Sequence, residues 1–163
     1  MMLMFQAAPV RRSLQVAAVL CLALNAPVPA AAEWATRETN GRLEAGTSVD
    51  GALAGLLLRC PAPGRMELVL THNGAVFDRD LDHTIVISVD GTATLLTARA
   101  AQGERAGDDD FVYSGTTVDL DPLLVALARG RIVEISAPSG RYSLPLAGSS
   151  RAISAFRDGC GSR

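Results

Sequence analysis

Ile85-Val86-Ile87-Ser88-Val89-Asp90-Gly91-Thr92-Ala93-Thr94-Leu95-Leu96 consists of two β-prone runs divided by an Asp-Gly pair. β-Branched side chains suit a half-buried pleated surface, and Asp-Gly accepts the positive φ angles of a type I′ turn, so the stretch predicts an antiparallel hairpin. Similar runs on either side, at Trp34–Thr39, Ala52–Arg59, Met66–Thr71, Phe111–Val118, Arg131–Ser136 and Arg141–Leu146, are further candidate strands. His72-Asn73-Gly74 reads as a turn and Ala100 to Asp110 as an exposed polar loop.

Two helices are expected near the C-terminal end. Asp121-Pro122 opens the first, with Asp as cap, Pro at the first helical position and Gly130 as a left-handed stop; Leu123, Leu124 and Leu127 form its apolar face. The second begins near Ser149 and presents Ala152, Ile153, Phe156 and Cys160 at helical spacing. The expected fold is therefore mainly β. About eight short strands form an antiparallel β-sandwich or partly open barrel with two short helices near the C-terminus, and an α+β two-layer arrangement is the alternative.

Residues 1–32 have the order of a cleavable signal peptide. Arg11 and Arg12 supply the positive start, Leu14 to Ala26 the apolar core, and Ala30 and Ala32 the small residues before a cut at Glu33. The apolar core is well short of the roughly 20 residues needed to span a bilayer, so no stable membrane insertion is expected after cleavage. Cys21 lies inside this core and follows Leu20, where a lipidation signal needs Gly or Ala. Residues 33–163 then form a single domain in the periplasm or outside the cell. It keeps two cysteines, Cys60 and Cys160, expected to form one disulfide that closes a loop of about 100 residues and contributes roughly 4.7 kcal/mol in the entropic model.

Charge excludes several functions. Every basic residue is Arg, so Schiff-base lysine chemistry and the P-loop lysine are absent. The expected mature chain carries thirteen Arg against seventeen acids, and without an aromatic-basic stripe it is not a nucleic-acid binder. Glu33 to Leu120 holds seven Arg and fourteen acids, whereas Asp121 to Arg163 holds six Arg and three acids, an asymmetry that the two segments can neutralise by packing together.

A search for chemistry finds no complete motif. Gly46-Thr47-Ser48-Val49-Asp50 has Asp where a nucleophile elbow needs its second Gly, and His72 and His83 sit in turn-like contexts that predict solvated loop histidines. Asp78, Asp80 and Asp82 have the alternate spacing of a calcium loop, but His83 stands where that loop needs Gly and Val89 where it needs Glu. These acids are expected on a solvated edge, and Asp108-Asp109-Asp110 at a soluble loop tip. Glycosidases and lectins stack sugars on exposed aromatic rings, and Trp34, Phe77, Phe111, Tyr113, Tyr142 and Phe156 are few enough for a core to consume. No catalytic residue, metal ligand or cofactor is assigned.

Several landmarks occur in a fixed order: Trp34 after the cleavage site, Leu56-Leu57-Leu58-Arg59-Cys60, the strand with its downstream Asp-Gly, Leu123-Leu124 and Leu127, and Leu144-Pro145-Leu146-Ala147-Gly148 leading to Ala152-Ile153 and Cys160. This order resembles the VasI/TagO family of periplasmic proteins associated with type VI secretion. The closing strand, Gly and helix are also similar to the invasion-associated locus B family. The resemblance implies a disulfide-bonded accessory domain with no catalytic residues. The resulting expectation is a non-enzymatic exported envelope protein that binds or supports a protein complex through a partner of unknown identity. A small periplasmic hydrolase using Asp and His residues, and a structural or inhibitory module, are the alternatives.

Overall fold

The computed structural model describes residues 32–49, 51–71, 73–103 and 106–161. The signal peptide, apart from Ala32, and also Asp50 and His72, lie outside the described residues. Those described form nine strands: β1 (Glu33–Thr39), β2 (Arg42–Val49), β3 (Ala52–Ala62), β4 (Arg65–Leu70), β5 (Asp82–Val89), β6 (Thr92–Gln102), β7 (Asp109–Thr116), β8 (Ile132–Ala137) and β9 (Gly140–Pro145). Helix α1 (Asp121–Arg129) lies between β7 and β8, and α2 (Ser149–Gly161) follows β9. All nine strands belong to one open sheet in the order β1-β2-β3-β4-β7-β6-β5-β8-β9, each antiparallel to its neighbours. The protein is mainly β, with its two helices near the C-terminal end.

The predicted hairpin is present: Val89 faces Thr92 across the turn, with Asp90 at φ 46° and Gly91 at φ 89°. The Asp90 carboxylate also accepts the backbone N–H groups of Arg131 and Ile132 at 3.1 and 3.2 Å, which ties the turn to the start of β8. One strand exceeds the expected number. β2 has only a weak alternating apolar pattern, yet Asn40 and Gly41 at φ 51° and 74° form a second two-residue turn that folds it onto β1.

Alternation along the strands sends one set of side chains to a shared core. Leu56, Leu58 and Cys60 of β3 meet Ile85, Ile87 and Val89 of β5, capped by Leu123, Leu124 and Leu127 of α1 and Ala152, Ile153 and Phe156 of α2. Full burial of each large aliphatic or aromatic side chain contributes roughly 1.5–3 kcal/mol, so this core is the main stabilising term. On the opposite face Leu53, Leu57 and Val69 form a second, smaller cluster with Ala35 and Val112. Beside it runs a charged row of direct cross-strand neighbours, Arg37, Glu44, Arg59 and Glu67.

The helix boundaries fall where expected, but for different physical reasons. Asp121 is the first helical residue of α1 rather than its cap, and its carboxylate pairs with Arg157 of α2. Gly130 is extended at φ −75° and ψ 172°, so no left-handed stop is involved. Its missing side chain answers to packing: a Cβ there would lie 2.3 Å from Val89 Cγ1 and 2.9 Å from Leu146 Cδ1. Cys60 and Cys160 have their sulfurs 2.14 Å and their Cα atoms 5.7 Å apart, which fastens the end of α2 to β3. The turn after β9 reaches the edge strand β1, where Trp34 N–H donates to the carbonyl of Ala147 at 2.8 Å.

Candidate functional site

Among the described residues, those that sequence reasoning considered for chemistry do not converge. Asp78 accepts the backbone N–H of Asp80 at 2.9 Å in a local turn, and Asp82, the first residue of β5, pairs with Arg99 at 2.9 Å on the surface. His83 corrects the expectation of a solvated loop histidine. It is the second residue of β5, its Nε2 donates to the Asp78 carbonyl at 2.8 Å, and its ring centroid lies 5.1 Å from that of Phe111 and 6.0 Å from that of Phe77. Among the described residues no group of three or more His, Cys, Asp and Glu side chains gathers to hold a metal.

Asp109 is a larger correction. The expected polar loop is short because β6 continues to Gln102 and β7 starts at Asp109, whose side chain is buried at 1% exposure. Its carboxylate accepts Arg79 Nη2 at 2.6 Å and the Phe77 N–H at 3.0 Å, while its carbonyl accepts Asn73 Nδ2 at 2.8 Å. Arg79 and then the Phe77 N–H hold the carboxyl below its ordinary value. Asp109 thus fastens the segment between β4 and β5 to the sheet, and Asn73 extends the network by accepting Ser139 Oγ at 2.8 Å. The partners are about thirty residues apart in sequence, and no local motif announces them.

Among the described residues Glu44 is the other buried acid, 4% exposed on the outer face of β2. Burial alone would raise its pKa, but hydrogen bonds and charge from Arg59 and Arg37 hold it below the ordinary value. Thr39 Oγ1 adds a third donor at 3.2 Å. The buried acids are therefore engaged in structural bonds.

The site that sequence reading missed lies where β1, the sheet edge, runs beside α2. Glu33, Trp34, Ala35 and Thr36 form one wall of a cleft of about 460 Å³, and Arg151, Ala152 and Ala155 form the other. Arg151 and Glu33 face each other at 3.7 Å and stay 85% and 60% exposed. Trp34 is 4% exposed, yet its indole N–H has no hydrogen-bond partner, and the same holds for the hydroxyl of Thr47 directly opposite it on β2. A buried donor without an acceptor costs on the order of 1–3 kcal/mol, which marks this wall as unusual. No family model, curated protein or solved structure matches this chain. A second cleft of about 430 Å³, lined by Val118, Pro122, Asp121 and Arg157, lies where α1 meets the end of α2. The Asp121–Arg157 ion pair occupies its polar side. The only sequence signals for the edge cleft were Trp34 at the head of β1 and the small residues Ala152 and Ala155 on one face of α2.

Proposed function

We propose that the protein is a non-enzymatic exported accessory domain that binds a protein partner in the cell envelope. The observation that carries this reading is the cleft between β1 and α2, which combines a sheet edge, an unpartnered buried indole N–H and apolar helix residues. Sheet edges recognise other chains through backbone groups and need no catalytic side chains. The Cys60–Cys160 pair at disulfide distance supports an oxidising compartment, periplasmic or extracellular. Among the described residues no helix is long and apolar enough to cross a membrane. The family resemblance points to a secretion-associated assembly as the kind of complex that the domain supports. Reciprocal affinity capture after in-cell crosslinking tests the reading: tagged protein and tagged partner are expected to recover each other, and deletion of either gene is expected to give the same phenotype. Recovery of the protein alone in every growth condition, or a measurable turnover of substrate by the purified domain, overturns it.

A further inference from the structure

Strand β1 exposes backbone groups on the side away from β2. The N–H of Trp34 points that way, since it bonds Ala147, and backbone direction alternates along a strand, so the N–H and C=O of Thr36 point the same way. Thr36 is exposed, and among the described residues no interstrand bond reaches it on that side. These groups open onto the cleft shared with Arg151, Ala152 and Ala155, whose volume of about 460 Å³ is within the roughly 300–1,000 Å³ of ligand clefts. We infer that this cleft takes an extended segment of the partner protein as an added strand on β1, with an apolar side chain against Ala152 and Ala155 and a carboxylate for Arg151.

Spacing and charge select that occupant. Arg151 and Ala155 are one helical step of four residues apart, about 6 Å along the axis, and alternate residues of an extended chain repeat at roughly 6.6 Å on one face. A segment with an apolar residue and an acid two positions apart therefore meets both. Arg151 is 85% exposed, and its partner Glu33 is 3.7 Å away, so a carboxylate inside the cleft gives the guanidinium a nearer counter-charge. The Trp34 N–H is already bonded to Ala147, so the added segment makes its main-chain bonds at Thr36 and not at Trp34, and a two-fold pairing of β1 strands centred on Thr36, which would set the partner's Glu38 against Trp34, is disfavoured.

The inference rests on the accessory-domain reading, and its test separates the two. Trp34 is the single tryptophan and lines the cleft, so its indole N–H gives one readily assigned resonance beside it. Titration of the full exported protein with an acetylated and amidated peptide Ser-Thr-Leu-Thr-Asp-Thr-Ser is expected to shift that resonance and the Thr36 amide saturably. Replacing the peptide's leucine by glycine, or its acid by lysine, is expected to weaken binding at least about tenfold. Ala155→Arg fills the cleft and Thr36→Pro removes the edge N–H without touching the β2 ladder, and each is expected to weaken peptide binding by a similar factor in a protein that melts normally. Binding that leaves the Trp34 and Thr36 signals unmoved, equal binding of all three peptides, or dimerisation through β1 overturns the inference. So does loss of peptide binding in Ala155→Arg with partner capture intact, an outcome that leaves the accessory-domain reading standing.

Discussion

Glu44 Oε1 on β2 lies 2.8 Å from Arg59 Nε on β3, and the other oxygen of the same carboxylate lies 3.0 Å from Arg37 Nε on β1. One acid thus joins three strands on the face away from the main core. Glu44→Gln keeps the shape and removes the charge, and is expected to cost about 1–3 kcal/mol, toward the lower figure because both guanidinium groups reach water. The pH dependence has a definite sign. The folded pKa of Glu44 is lowered, so its stabilisation is complete above the ordinary value of 4.5 and is lost as pH falls through the folded value. Urea unfolding from neutral pH downward is expected to show a shallower acid decline in the variant than in the parent protein.

Gly130→Ala tests whether packing or conformation selects glycine there. At φ −75° an alanine is conformationally relaxed, so any loss comes from the Cβ meeting Val89 Cγ1 at 2.3 Å and, less closely, Leu146 Cδ1 at 2.9 Å. The expected cost is about 1–3 kcal/mol from overpacking, and Val89→Ala in the same chain is expected to recover part of it despite being destabilising alone. A double-mutant cycle by chemical denaturation measures the coupling.

Cys160→Ala removes the link between α2 and β3, with an expected cost of roughly 2–5 kcal/mol under oxidising conditions. Reductant is expected to lower the melting temperature of the parent and leave that of the variant unchanged. Non-reducing peptide mapping identifies the bridge directly.

Asp109→Asn keeps a hydrogen-bonding side chain and loses the charge opposite Arg79. The segment between β4 and β5 is expected to loosen first, so trypsin cleaves after Arg79 faster than in the parent while the core remains folded. Limited proteolysis with mass mapping reads the site. Since the Asp109 carboxyl also has a lowered pKa, amide hydrogen exchange in the same segment of the parent is expected to lose protection as pH falls below the ordinary value of 3.8 and through the folded value.

Replacing His72 and His83 together by alanine is expected to leave reciprocal partner capture intact. The His83 ring packs beside the Phe77 and Phe111 pair, so a modest loss of melting temperature accompanies the change. A folded double variant that loses the partner would show that the histidines act in binding.

What could be read from sequence was local. The Asp90-Gly91 turn, the apolar face of α2 and the isolated cysteine pair each carry their meaning within a few residues or by number alone. β2 was missed because Leu43, Ala45 and Thr47 make a weak apolar face, although Asn40-Gly41 was a readable hairpin signal. Asp109 was misread because its burial depends on Arg79 and Asn73, which reach it only after the sheet has formed. The cleft beside β1 was hidden for the same reason: it exists only where strand order leaves Glu33–Thr39 at an edge and α2 returns beside it. Gly130 shows the reverse case, a helix end placed correctly for a reason that only packing reveals.

The bond from Trp34 to Ala147 joins the first described strand to a turn beyond the last one. No intermediate that lacks the C-terminal segment can make it, and Cys60 has the same dependence on Cys160. Both contacts close long loops, which makes them late and entropically expensive steps. A chain emerging N-terminus first therefore leaves the Trp34 N–H without this acceptor until Ala147 is available. The edge is thus completed only after β9 has been made, and a truncated product lacking α2 would lack the Cys60–Cys160 link and the far wall of the cleft.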